Sequence, residues 1–297
     1  MPLLLLVSLI WAFSFGLIKD GLTGLPSSSI AFIRLAVALA VFAPFLRLRT
    51  LRVADAVRLF LTGAVQYGLM YVAYIHAFSY LKAYEVALFT VFTPIYVTVI
   101  NDLFDKRIGF IALAAGVLAV AGGVVIEYQK LSSPELWTGF LLMQGANLCF
   151  AFGQIFYRRT MARLPEVRTD LQVFGLLYLG AALTAALAAS GTPPATLSIT
   201  LKQAGILLYL GAIASGLGFF LWNIGARKVS SGTLAVFNNL KIPLGILVSM
   251  FFFGETADWP RLLGGGALMV LALAVNALKD QEKTLCSAEN KSSARLT

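Results

Sequence analysis

Lys241 lies in Phe237-Asn238-Asn239-Leu240-Lys241-Ile242-Pro243, near the middle of an apolar run over residues 232–253. An ammonium at the centre of a membrane span costs about 2.5 kcal/mol or more on insertion scales, and residues of this kind mark cavities, partners or ligands. Its four-carbon stem is short against a hydrocarbon core ~30 Å thick, which disfavours snorkelling to an interface. Pairing with a buried acid is the alternative, and no acid falls clearly at matching depth in another apolar run. Two chemistries suit such a group: holding a substrate carboxylate, phosphate or sulfonate, or carrying a coupling proton.

Other polar and aromatic residues at membrane depth can complete a site. Asn238 shares a helical face with Lys241, and Asn239 precedes it by two. Pro243 lacks an N–H and so frees the carbonyl at Asn239. These asparagines are expected either to contact substrate or to bond helices together. Gln144, Asn147 and Gln154 share one face, continued by Ala151, as expected of a helix lining an aqueous cavity. Tyr67, Tyr71, Tyr74 and Phe78 form an aromatic stripe. Trp11 falls at mid-depth and Trp222 nearer the inner end of its run. Trp11 and Tyr71 are the aromatic candidates for substrate contact; ordinary helix packing is the alternative for the stripe. Arg34, His76 and Glu85 sit toward one side of the membrane on three different runs. They suit an outer gate or a proton carrier, or else a structural ion pair.

The elements that position these residues follow from composition. Hydrophobic residues make up 59% of the 297 and charged residues 12%, against about 25% charged in soluble domains. Ten apolar runs read as membrane-spanning helices. They lie at roughly 2–18, 28–46, 58–79, 84–103, 108–127, 137–156, 171–190, 203–222, 232–253 and 261–278. Sixteen of the 23 Lys and Arg fall on the side of the N-terminus. Five (Lys19, Lys82, Lys130, Lys202 and Arg261) fall on the other side, and Arg34 and Lys241 lie within spans. This bias predicts cytoplasmic termini. It also explains the +9 net charge without a nucleic-acid partner. The first run has no basic leader and no small-residue cleavage site, so it is expected to remain as a helix.

The chain reads as two copies of one unit. Phe13-Ser14-Phe15-Gly16-Leu17-Ile18 matches Phe150-Ala151-Phe152-Gly153-Gln154-Ile155. Gly63-Ala64 and Gly68 match Gly211-Ala212 and Gly216, and Val86-Ala87-Leu88-Phe89 matches Leu234-Ala235-Val236-Phe237. Five spans is an odd number, so the second copy enters the membrane from the opposite face, an arrangement characteristic of alternating-access transporters. The predicted fold is therefore an all-α membrane protein with ten transmembrane helices as two inverted five-helix repeats. Residues 1–130 form the first repeat, 131–279 the second, and 280–297 a disordered cytoplasmic tail.

Leu9-Ile10-Trp11-Ala12-Phe13-Ser14-Phe15-Gly16, followed by Lys19, Pro26 and Phe32-Ile33-Arg34, resembles the opening of EamA-type members of the drug/metabolite transporter superfamily. Pro94, and Phe253-Gly254-Glu255 followed by Gly264, strengthen the resemblance. It covers about 280 residues. It implies ten helices around a central cavity and export of a metabolite or amino acid, energised by protons or by exchange. In one place the chain departs from the pattern: Asn101-Asp102-Leu103-Phe104-Asp105-Lys106-Arg107 stands where the first half of the family usually repeats a Gly-Glu-Arg element.

The expected function is secondary transport, as exporter or exchanger, of a small metabolite with a negative group, such as an amino acid or carboxylate. It would take place in the bacterial cytoplasmic membrane, with no cofactor. Multidrug or amine efflux is the alternative. An integral membrane enzyme, or a scramblase or receptor, ranks lower. One His and two distant cysteines, Cys149 and Cys286, do not make a rich metal site. Phosphate-loop and nucleophile-elbow motifs are absent. Glu255 reads as structural. Ala115, Ala119 and Gly123, with Ala181, Ala185 and Ala189, form small-residue stripes suited to close helix packing, with a homodimer surface as the alternative.

Overall fold

The computed structural model describes residues 1–48, 51–81, 83–106, 108–127, 135–164, 169–191, 198–253 and 258–293, and these are all-helical apart from short turns. Lys82, Arg107, Lys130, Arg168, Gly254 and Glu255 lie outside the described residues, as do the side chains of Phe13, Phe15 and Cys286. In lipid every backbone N–H and C=O must be paired within the protein, and a helix does this within one segment. Among the described residues, six helical stretches are long and apolar enough to cross a membrane: Ser27–Phe45, Val53–Ala77, Leu88–Asp105, Leu136–Met161, Asp170–Ala189 and Leu201–Arg227. Large apolar side chains remain on the outside, among them Leu201 (92% exposed), Leu187 (77%) and Trp137 (73%). Lipid, unlike water, carries no penalty for such a surface.

In chain order the helices are α1 (Pro2–Gly21), α2 (Ser27–Phe42), α3 (Val53–Gly63), α4 (Met70–Ala77), α5 (Ala83–Thr90), α6 (Thr93–Asp105), α7 (Phe110–Glu127), α8 (Leu136–Met161), α9 (Asp170–Ala189), α10 (Leu201–Tyr209), α11 (Gly218–Arg227), α12 (Ser231–Phe253) and α13 (Trp259–Ser293). π-helical segments, Ala64–Leu69 and Leu210–Leu217, join α3 to α4 and α10 to α11. They fall on the two glycine-containing stretches that the sequence aligns. The run predicted at 84–103 is broken instead of continuous: α5 ends at Thr90, and α6 restarts at Thr93 with Pro94 in its first turn. Proline at that position forfeits only an N–H that has no intrahelical partner. By contrast α12 stays helical through Pro243. Helix α13 carries on to Ser293, so the backbone over 280–293 is helical where composition suggests disorder. Once a helix is nucleated, good helix formers such as Lys, Gln, Glu and Leu extend it cheaply.

Close backbone contact holds the helices together. A Cβ at Gly63 would collide with the Leu177 backbone of α9, and one at Gly180 with the Phe60 carbonyl of α3. Gly122 and Gly265 bring α7 and α13 together in the same way. Of the small-residue stripes, Ala115, Ala119, Ala181 and Ala185 are buried inside the bundle. Gly180→Val should therefore lower the melting temperature in detergent by an amount equivalent to ~1–3 kcal/mol, from overpacking against backbone that cannot retreat. Gly264→Ala, which meets open space, should leave it unchanged; differential scanning fluorimetry on the two variants checks both.

Candidate functional site

A cavity of about 690 Å³, its open mouth included, lies among α1, α2, α4, α5, α6, α8, α11 and α12. Aromatic groups form much of its wall: Trp11, Tyr71, Tyr74, Phe150 and Phe219. These rings support one another, with Trp11 5.3 Å from Phe219 and 6.0 Å from Phe150, and Tyr71 5.7 Å from Phe219. Ser14, Thr90, Thr93 and Asn147 add polar points. A mostly apolar concavity with a few fixed polar groups is the usual form of a small-molecule site.

Among the described residues, the two charged ones lining the cavity are both cations, Lys241 and Arg34, and none is Asp or Glu. The Lys241 ammonium has no hydrogen bond or ion pair among the described residues; its nearest aromatic contact is Trp11, with Nζ 6.0 Å from the ring centre. Arg34 is only 3% exposed. Its Nη2 donates to Tyr71 Oη at 2.7 Å and to Ser215 Oγ at 3.1 Å, its Nε donates to Ser215 Oγ at 3.3 Å, and its guanidinium carbon lies 4.6 Å from the Tyr71 ring centre.

The second π segment places these partners. A π turn takes carbonyls out of the ordinary helical ladder. Here the Ala214 carbonyl accepts from Trp11 Nε1 at 2.9 Å, and the Ser215 and Gly216 carbonyls lie 2.8 and 2.6 Å from the Tyr178 hydroxyl. One distortion thus fixes a cavity wall, Trp11, and the hydroxyl that orients Arg34. The α5–α6 break is satisfied likewise: the Phe89 carbonyl accepts from Asn147 Nδ2 at 2.7 Å and the Val91 carbonyl from Asn239 Nδ2 at 2.9 Å.

Beyond the cavity lies a buried polar ladder. Gln66 and Asn223 exchange two amide hydrogen bonds of 3.0 and 3.3 Å, and Asn223 Nδ2 donates to Tyr67 Oη at 2.7 Å. Gln154 Oε1 accepts from Trp222 Nε1 at 3.0 Å and from Asn238 Nδ2 at 3.2 Å. All six residues are buried. The ladder ties α8 to α12 and the first π segment to α11.

The EamA-like transporter family model matches this chain twice, over residues 1–128 and 137–277. The chain belongs to the EamA-like transporter family. With that family it joins the drug/metabolite transporter superfamily, and it is a multi-pass membrane protein that acts as a transporter. It is 41% identical over 285 residues to a Pseudomonas aeruginosa protein named "Probable biotin transporter", covering 95% of this chain and 99% of that one. It is 39% identical over 280 residues to an Escherichia coli (strain K12) protein named "Biotin transporter", covering 92% and 91%. A solved crystal structure shares the fold at a TM-score of 0.75 and 19% identity, over 93% of this chain and 96% of that one.

Within this EamA-like fold the residues singled out from sequence separate. Lys241, Trp11, Tyr71, Asn147 and Arg34 line the cavity. Gln144 packs beside Asn147 and accepts from Tyr96 Oη at 3.1 Å. Asn238 belongs to the ladder, and Asn239 binds the Val91 and Ala119 carbonyls, bonding helices together. Arg34 bonds to Tyr71 and Ser215, with no bond to His76 or Glu85 among its hydrogen bonds. His76 is exposed and its ring packs against Tyr80, and Glu85 is fully buried. Of the aromatic stripe, Tyr71 and Tyr74 face the cavity, whereas Tyr67 stacks on Phe219 with ring centres 4.5 Å apart in the core. Ser215, Gln66 and Asn223 join the site and the ladder without having been expected from the sequence. Their polarity at mid-span was the available signal, since intramembrane polar groups face cavities or one another.

Gln154→Leu should destabilise the protein by about 1–3 kcal/mol although it adds apolar surface, because Trp222 Nε1 and Asn238 Nδ2 lose their shared acceptor. Thermal denaturation in detergent measures this, and an unchanged or raised midpoint would mean that the ladder carries no net stability.

Proposed function

We propose that this protein is a secondary transporter of biotin or a closely related ureido carboxylic acid in the bacterial cytoplasmic membrane. One observation carries the reading: two cations share an aromatic cavity in which the described protein supplies no carboxylate to neutralise them. A monoanionic acid completes that site, with Lys241 holding the carboxylate and the rings covering its apolar body. The named relatives at 39–41% identity support biotin over the amino acid that the sequence suggested. A cationic drug or amine would meet like charge, which costs several kcal/mol at close quarters.

The transport mechanism is alternating access between two inverted five-helix repeats, ten spans in all, with both termini cytoplasmic. The twofold family match and the paired π segments support the repeat. Counting depth from the predicted cytoplasmic side, Tyr71, Tyr74 and Arg34 lie in the outer half, Asn147 at the middle, and Gln154, Trp222, Asn223 and Asn238 in the inner half. On that topology the cavity opens outward and is closed beneath by the ladder, which must part for the substrate to pass between the cavity and the cytoplasm.

In proteoliposomes, counterflow of labelled biotin should be saturable and competed by unlabelled biotin but not by amines. Lys241→Ala should reduce biotin affinity roughly 30-fold or more, as expected for loss of one partner of a desolvated charge pair. Unaltered counterflow in that variant, or exchange of amines in place of biotin, would contradict the proposal.

A further inference from the structure

Lys241 accounts for one end of the proposed substrate, and the second cation has capacity left over. On Arg34, Nε and Nη2 are engaged by Ser215 and Tyr71, while Nη1 has no hydrogen-bond partner among the described residues. The two donors of one guanidinium edge, the arrangement that takes a carboxylate bidentately, are therefore already occupied. What remains is a single rigidly held nitrogen, suited to one acceptor oxygen. Asn147 presents the complementary group. Its Nδ2 donates to the Phe89 carbonyl, which fixes which way the amide points, and its Oδ1 accepts no hydrogen bond among the described residues. Asn147 and Arg34 line the same cavity and come from opposite halves of the chain.

We infer that Arg34 and Asn147 form a second recognition point that reads the cyclic urea of the substrate. Arg34 Nη1 donates to the ureido carbonyl and Asn147 Oδ1 accepts one ureido N–H, while Lys241 binds the carboxylate at the other end. This rests on the ureido-acid reading above and makes Arg34 a specificity-determining residue. An apolar acid of similar length leaves the guanidinium and the amide oxygen unpaired in a desolvated site, and a site built to hydrogen-bond a polar group rejects analogues that lack it far more strongly than a hydrophobic pocket rejects a misfit.

The test is calorimetric binding of biotin and 2-iminobiotin to the purified full chain. The two probes share the carboxylate and the side chain, but the second replaces the ureido carbonyl with a cationic guanidinium. The wild type should prefer biotin by about 50-fold or more, because the analogue sets like charge against Arg34. In Arg34→Gln the affinity for biotin should fall roughly tenfold or more, and the preference should collapse to within a few-fold. Lys241→Ala should weaken both probes alike and keep the ratio. A wild-type ratio retained in Arg34→Gln overturns the assignment while leaving biotin as substrate; failure of the wild type to bind biotin overturns both. If Arg34→Gln does not fold, Arg34→Lys serves: it should keep the discrimination yet bind biotin several-fold more weakly, and undiminished biotin affinity in that variant overturns the assignment.

Discussion

Uncompensated positive charge inside the membrane is the constraint on which the rest of the structure depends. Burying a cation without a partner is costly, and the cavity holds Arg34 and Lys241 with no acid lining it among the described residues. Arg34 is made tolerable by neutral oxygens, the hydroxyls of Ser215 and Tyr71, together with the face of the Tyr71 ring. Lys241 has less: a distant indole and the cavity itself. A carboxylate placed there by the protein would have neutralised the site and competed with an anionic ligand. Leaving the charge open keeps the energy of pairing for the ligand.

The surrounding fold serves that arrangement. Glycine contacts between α3 and α9 and between α7 and α13 let backbones touch. The bundle is therefore tightly packed where these helices cross. Side chains repair irregular backbone at two places beside the cavity. The second π segment is capped by Trp11 and Tyr178, and the α5–α6 break by Asn147 and Asn239. The same residues that repair the backbone line the cavity or brace it, so the site and the distortions were built together. The amide ladder beneath is a different device. Neutral amides and an indole hold four elements together without charge, and such bonds between membrane helices, worth ~0.6–2 kcal/mol each, are weak enough to exchange partners during transport.

Much of this was legible in the chain. The apolar runs gave the helices, and the out-of-place Lys241 and mid-depth Trp11 and Tyr71 pointed to the cavity, because a misplaced polar or charged group is visible without coordinates. The π segments, the helix break at residues 91–92 and the role of Ser215 were not legible. Each depends on how a neighbouring helix satisfies backbone carbonyls, which no local pattern records. The asparagines beside Lys241 show the limit of proximity along the chain: one turn of helix separates a cavity residue from Asn238 in the ladder, and Asn239 faces another helix altogether. Arg34, His76 and Glu85 share only a depth along their apolar runs. Depth does not fix which way a helix face points: Arg34 bonds to Tyr71 and Ser215, His76 is exposed beside Tyr80, and Glu85 is buried.

The most direct test of the account varies the ligand's charge and leaves the protein alone. Biotin and its methyl ester differ by one negative charge and little in shape, so their relative affinities for the wild-type protein measure what the open cations contribute. The account predicts that the acid binds at least about 30-fold more tightly, the range expected when a desolvated charge loses its partner. Equal affinity for acid and ester would contradict it and would mean that the cavity recognises its ligand by shape and apolar contact alone.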